Sequence, residues 1–252
     1  MALNNVPGGD RMKRFTLSCV VVACVWVGAC GGSSTTAPTT PTAMSITPTT
    51  SVLVIGQSQP YSTANGPSTD VITWSSTDPN VLTIDSTGNA TAIAKGVVTI
   101  TAAGTTQSAT LQVQVVPIYQ GTWTGSTTTV ACTSIGGGFT SYCTQSLGSD
   151  QAFGLTLSQS GLSVSGALTK AEPGGVLSGG VNGSIGPGGD ITLTGTLTGV
   201  SSGANITGTL ISWNSLATGT TMTGVWAANV TSPQILGIAT LQLSLTGVTL
   251  AQ

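Results

Sequence analysis

The sequence predicts an all-β protein. A β-sandwich comes first, an antiparallel up-and-down β-barrel or related meander follows, and a helical signal peptide precedes both. Three observations carry this. Thr, Val and Ile are frequent and long runs of Ala, Glu, Lys and Leu are absent, a strand-forming composition. Beyond the N-terminus, short alternating runs recur between turn signals and no apolar period of 3.6 is sustained. A five-residue unit centred on glycine also repeats through the second half of the chain.

Composition bounds the function. The 252 residues suffice for about two domains at ~100–200 residues each. Only 5% of residues are charged and none is His, against about 25% charged in ordinary soluble domains. Thr, Ser and Gly must therefore make most of the surface. Arg11, Lys13 and Arg14 stand before the apolar N-terminal run, and only Lys95 and Lys170 lie beyond Cys30. Against those two cations stand six acids, Asp70, Asp78, Asp85, Asp150, Glu172 and Asp190, for a net charge of −4. Nucleic-acid affinity rests on Lys and Arg neutralising phosphates, so nucleic acid is excluded as a partner.

The N-terminus reads as an export signal over residues 1–29. Arg11, Lys13 and Arg14 form a positive n-region, and Leu17 to Ala29 form an apolar h-region too short to span a bilayer. Met12-Lys13-Arg14 makes a normal start by itself, which leaves residues 1–11 open to being a start-site artefact. Val27-Gly28-Ala29-Cys30 resembles a bacterial lipobox. That resemblance implies cleavage before Cys30, lipidation of its thiol and membrane anchoring through the acyl chains. Residues 30–42, rich in Ser, Thr and Pro, read as a flexible linker. Gly31 is not Asp, so the inner-membrane retention signal of enteric bacteria is absent. The expected location is the bacterial cell envelope, at the outer membrane or cell surface.

Residues 43–116 hold short strand patterns separated by turns, as in "VITWSS", "VLTID" and "VVTITAAG". In order, "ITP", "LVIGQSQ", "ITWSSTDPNVLTID", "STGNATAIAKGVVTITA" and "LQVQVV" resemble bacterial Ig-like domains of group 2. The resemblance implies a seven-strand Ig-like sandwich with Trp74 as the core Trp of a central strand. It also implies presentation at a surface, as in intimin- and invasin-type adhesins, without implying a ligand. Asp78 and Asp85 read as turn residues rather than calcium ligands, because no loop of alternating carboxylates surrounds them.

Residues 117–252 divide at turn signals into about eight strand candidates: 119–129, 152–159, 161–169, 176–185, 190–199, 204–213, 221–231 and 235–250. The repeated unit appears as Val164-Ser165-Gly166-Ala167-Leu168, Val181-Asn182-Gly183-Ser184-Ile185 and Leu193-Thr194-Gly195-Thr196-Leu197, and twice more around Gly208 and Gly224. Positions 1, 3 and 5 of a strand share a face, so each glycine lies on the apolar face between larger side chains. Such glycines permit strong bending, close strand approach or barrel corners, and predict a closed, curved meander. Gly121-Thr122-Trp123 followed by hairpin strands resembles the calycin pattern of lipocalins and avidins. The Arg that lipocalins pair with this Trp has no counterpart here, and a jelly roll or single-sheet solenoid stays open.

Cys132 and Cys143 are the cysteines left once Cys30 is lipidated, and an exported compartment lets them form a disulfide. The loop they close, "CTSIGGGFTSYC", carries Phe139 and Tyr142 and reads either as a recognition element or as a plug over a barrel end. No residue set for catalysis stands out. Without His there is no Ser-His or Cys-His relay, and zinc lacks imidazole ligands. Asp150, Glu172 and Asp190 read as solvated turn or strand-edge residues rather than a glycosidase pair. No cofactor or metal site is implied.

Three functions fit, none of them enzymatic. The first is a surface-anchored adhesion or binding protein, with the sandwich as stalk and the barrel as head, taking a surface protein or glycan as partner. The second is a carrier of a small apolar ligand inside the barrel, lined by Trp123, Trp213 or Trp226, although core packing is the plainer role for these aromatics. The third is a structural envelope lipoprotein. A filled interior with exposed loop aromatics fits the first, a Trp-lined cavity the second, and neither feature the third.

Overall fold

The computed structural model describes residues 42–251. The signal peptide, Cys30 and nearly all of the expected 30–42 linker lie outside the described residues. What is described is all-β apart from one short helix.

Nine short strands build the first module: β1 (Ser45–Thr47), β2 (Val52–Val54), β3 (Ser58–Pro60), β4 (Ser62–Ala64), β5 (Thr73–Ser76), β6 (Leu82–Ile84), β7 (Asn89–Ala92), β8 (Gly96–Ala103) and β9 (Ser108–Val116). They form sheets ordered β1-β4, β2-β9-β8-β5 and β3-β7-β6. The resemblance implied seven strands. Nine arise because two extended runs change sheet midway: β1 pairs with β4 while β2 pairs with β9, and β3 pairs with β7 while β4 pairs with β1. Tyr61 is the second pivot. Its N–H donates to Gly88 O at 2.8 Å and its buried hydroxyl donates to Thr50 O at 2.7 Å.

Trp74 departs from expectation. It lies half-buried on β5, an edge strand, and the fully buried centre is Leu53, Leu82, Ile100 and Val113. Its indole covers Gly88, whose φ of +86 degrees favours glycine and whose Cβ would run into Tyr61 O. Asp78 and Asp85 are turn residues as read. Asp78 accepts from Asn80 N–H, and Asp85 accepts from the Thr87 N–H, the Thr87 hydroxyl and the Asn89 N–H.

The second module is a closed antiparallel barrel of eight strands in chain order. They are β10 (Gly121–Ile135), β11 (Asp150–Ser160), β12 (Ser163–Glu172), β13 (Gly175–Ile185), β14 (Ile191–Ser201), β15 (Ala204–Thr218), β16 (Thr221–Thr231) and β17 (Ile238–Leu250). β17 pairs with β10, so no edge remains. Leu155, Leu168, Val181, Leu193 and Leu241 point inward and are buried, whereas Thr156, Ser158, Thr194 and Thr209 point outward. Apolar inside and hydroxyl outside is the reverse of a lipid-facing barrel.

The repeated glycines other than Gly208 act through close approach. A Cβ on Gly166 would lie 1.8 Å from Thr156 O, and one on Gly183 the same distance from Thr192 O. The neighbouring backbone occupies the space a side chain would need, which lets the sheet coil tightly. Two strands run further than their alternation suggests. β10 and β15 each carry a register shift, between Thr129 and Ala131 and between Leu210 and Ser212. The bulge residues Val130 and Ile211 turn outward, reversing the phase where the apparent strands end.

Both barrel ends are closed. At the end facing the first module, Trp123 and Tyr119 are fully buried. Trp123 Nε1 donates to Tyr119 O at 2.8 Å, and the Tyr119 hydroxyl donates to Gly189 O at 2.6 Å. The outer side of that same turn meets the first module: Lys95 Nζ donates to Gly188 O at 2.9 Å and Gln114 Nε2 to Gly186 O at 3.0 Å.

Candidate functional site

The site lies at the other, distal end. It starts on β12, where Leu168, Lys170 and Glu172 occupy alternate positions and so share the inward face. Both charges are therefore inside the barrel, which corrects the reading of Glu172 as a solvated turn residue. Lys170 Nζ lies 2.7 Å from Glu172 Oε1, with the two side chains 2% and 1% exposed. It is the one ion pair among the described residues. A buried charge is tolerated only when paired and hydrogen-bonded, and Glu172 has further partners.

Those partners come from opposite walls. The chain between β10 and β11 folds over the barrel mouth and includes α1 (Thr140–Ser146). Cys132 on β10 and Cys143 on α1 form a disulfide with a Cα–Cα distance of 5.3 Å. Phe139 is fully buried, edge-on to Tyr142 at 5.9 Å between centroids. Gly138 packs closely against the loop before β17, where a Cβ would run into Leu236 O. Tyr142 reaches down and donates its hydroxyl to Glu172 Oε1 at 3.2 Å. From the β14–β15 hairpin, Ser201 Oγ donates to Glu172 Oε2 at 3.4 Å. Burial, and then the Glu172 carboxylate, push the Tyr142 hydroxyl well above the ordinary tyrosine range.

The barrel interior beneath this plug is filled. The cavity bounded by Tyr142, Lys170, Glu172 and Trp226 measures about 10 Å³, roughly the room for one water. Trp226 Nε1 is buried without a protein partner. Trp213 stacks between Phe153 and Trp226, with centroids 6.1 and 5.5 Å away, and its Nε1 donates to Ser215 Oγ. Trp123, Trp213 and Trp226 are thus core residues, at most 3% exposed. Their candidacy as ligand-lining residues is corrected: the aromatic bodies fill the space a ligand would need.

Phe139 is likewise buried rather than presented. It lies behind part-buried Tyr142 in the plug wall of a pocket of about 240 Å³. This pocket opens between α1, the β14–β15 hairpin and Ile235. Its rim carries Ser141, Gln145 and Ser202, all exposed. Ser202 Oγ donates to Gln145 Oε1 at 3.4 Å across the mouth. Lys170, Glu172, Gln145 and Ser202 were missed from sequence. For the ion pair a signal existed, since both charges continue the apolar phase of Val164 and Leu168.

Fold and site together define a class: a small multi-sheet Ig-like module carrying a filled, water-facing barrel with a stapled distal plug. Residues 41–115 match the model of the bacterial Ig-like domain (group 2) family. Such a domain suggests a bacterial surface or adhesion-type protein and is consistent with the cell envelope. Comparison with curated proteins finds no match.

Proposed function

We propose that the chain is a lipid-anchored envelope protein that holds its barrel outward on an Ig-like stalk for non-catalytic binding at the bacterial surface. The observation that carries this reading is the contrast between a filled interior and a featured distal end. A cavity of about 10 Å³ has no room for a carried ligand. The distal end instead presents the open pocket, and Ile135, Leu147, Val176, Leu236 and Ile238 stand exposed on the elements of that end. The lipobox ending at Cys30 supplies the anchor and the 30–42 linker the reach.

Two measurements on cells expressing the full chain test this. Metabolic labelling with palmitate should tag the protein, and Cys30→Ala should abolish the tag. Protease added to intact cells should then cleave the anchored protein. A tagged protein that stays protected until the outer membrane is opened would overturn surface display. Persistence of the tag in Cys30→Ala would overturn the anchor.

A further inference from the structure

We propose that the distal pocket binds one neutral sugar residue, the terminal residue of a glycan. This rests on the reading of the barrel as a binding head and names its ligand class.

The pocket is built rather than incidental. Its two walls are the plug and the β14–β15 hairpin, and they are tied at two depths. Below, the single Glu172 carboxylate accepts from Tyr142 on one wall and Ser201 on the other. Lys170 compensates the charge from inside the barrel. Above, the exposed 3.4 Å bond from Ser202 Oγ to Gln145 Oε1 spans the mouth. The lower tie is buried and fixes the spacing. The upper tie is long and wet, so a ligand hydroxyl can replace it at little cost. The disulfide and the close approach at Gly138 hold the plug wall in place before a ligand arrives. That preorganisation lowers the entropy lost on binding.

The lining selects the chemistry. Part-buried Tyr142, Ala204 and Ile235 give the pocket its apolar surface, backed by the buried Phe139 and Ile206. Ser141, Gln145 and Ser202 offer hydroxyl and amide groups that both donate and accept. No Asp, Glu, Lys or Arg lines the pocket. An ionic ligand would shed water there without meeting a counter-charge. A purely apolar ligand would leave the polar rim unpaired. A pyranose presents an apolar C–H face and an edge of hydroxyls, which matches both. About 240 Å³ is below the usual ~300–1,000 Å³ of ligand pockets, so a single ring fits and a chain does not.

The test uses the full lipidated chain with its disulfide intact, in a detergent that is not a glycoside. Saturation-transfer NMR is recorded with methyl glycosides of neutral hexoses and N-acetylhexosamines, with a uronic acid and a neutral blocked tripeptide alongside. At least one neutral glycoside should show transfer, with a dissociation constant on the order of millimolar, as expected for one ring. Gln145→Ala should weaken it about tenfold, the loss of one bound polar contact of ~1.4 kcal/mol. Ser141→Trp should abolish it by filling the mouth. Ser158→Trp, on the outer wall of β11, should leave it unchanged, and thermal melting checks that each variant folds. No neutral glycoside signal sensitive to Gln145→Ala and Ser141→Trp would overturn the proposal. A site-dependent signal from the tripeptide or uronic acid alone would overturn it too. Neither failure touches surface display, which is read by protease access on cells.

Discussion

The two ends of the barrel are closed by the same device with different chemistry. Each is sealed by a tyrosine whose hydroxyl donates inward. At the proximal end Tyr119 donates to the carbonyl of Gly189 and accepts from the N–H of Ala217 at 3.1 Å. Every partner there is neutral backbone, and the turn that accepts the bond also carries the contacts to the first module. At the distal end Tyr142 donates to a side-chain carboxylate that itself needs Lys170. The segment bearing it is a loop with a seven-residue helix, held by a disulfide. Backbone acceptors come with the fold and are rigid. A charged acceptor must be compensated, and a single substitution can undo it. The proximal end is therefore built as a joint, and the distal end as a constructed surface whose geometry depends on a few side chains.

The largest test of this contrast breaks the ion pair. Lys170→Met alone should destabilise the barrel by ~3–5 kcal/mol, because it leaves Glu172 charged and unpaired in the interior. The double variant Lys170→Met with Glu172→Gln should recover much of that loss in a denaturant-melting cycle. A double-variant loss equal to the sum of the losses of Lys170→Met and Glu172→Gln measured singly would show that the pair is not coupled. Opening the staple comes next. Cys132→Ser with Cys143→Ser should cost about 3 kcal/mol for a loop of this length. Hydrogen exchange should then rise at 136–149 and stay unchanged at 186–190. Equal rises at both ends would erase the distinction.

Smaller effects separate the tyrosines. Tyr119→Phe strands the buried N–H of Ala217 and should cost ~1–3 kcal/mol. Tyr142→Phe should cost less, since Glu172 keeps Lys170 and Ser201. The reverse order, by denaturant melting, would make the distal seal the stronger one. The smallest effect is in alkali. Burial pushes the Tyr119 hydroxyl up to about 12 from the ordinary 10. The unfolded chain then ionises first, so stability is full below pH 10 and is lost as pH rises from 10 through 12. In Tyr119→Phe that fall should flatten when melting is followed against pH, and an unchanged slope would assign it to other groups.

Much of the barrel was legible in particular residues. The alternation of Leu193, Gly195 and Leu197 placed glycine on the inner face, and the structure shows why it stands there: neighbouring backbone fills the space. The strands at 221–231 and 176–185 were found almost to the residue, whereas β10 and β15 were read short. Bulges at Val130 and Ile211 reverse the inside–outside phase, and a periodicity reading takes a reversal for an end. The Cys132–Cys143 pair followed from counting, but α1 within its loop did not, since seven residues carry too little periodicity to announce a helix. Trp74 looked central and lies on an edge strand, because strand order in a sheet is not written in strand sequence.

The sequence by itself determined the strand class, the two-part organisation, the meander of the second part and the disulfide. These follow from local rules: side-chain alternation, turn residues and the small number of available thiols. Only the tertiary structure decided how the barrel interior and its distal end are built. Whether Trp123, Trp213 and Trp226 line a cavity or fill one depends on how eight inward faces converge. Whether Glu172 meets water or Lys170 depends on which segment folds over the mouth. The distal pocket is made by residues from three separate parts of the chain, 138–145, 201–206 and 235. Their meeting is a property of the closed barrel, and no local pattern encodes it.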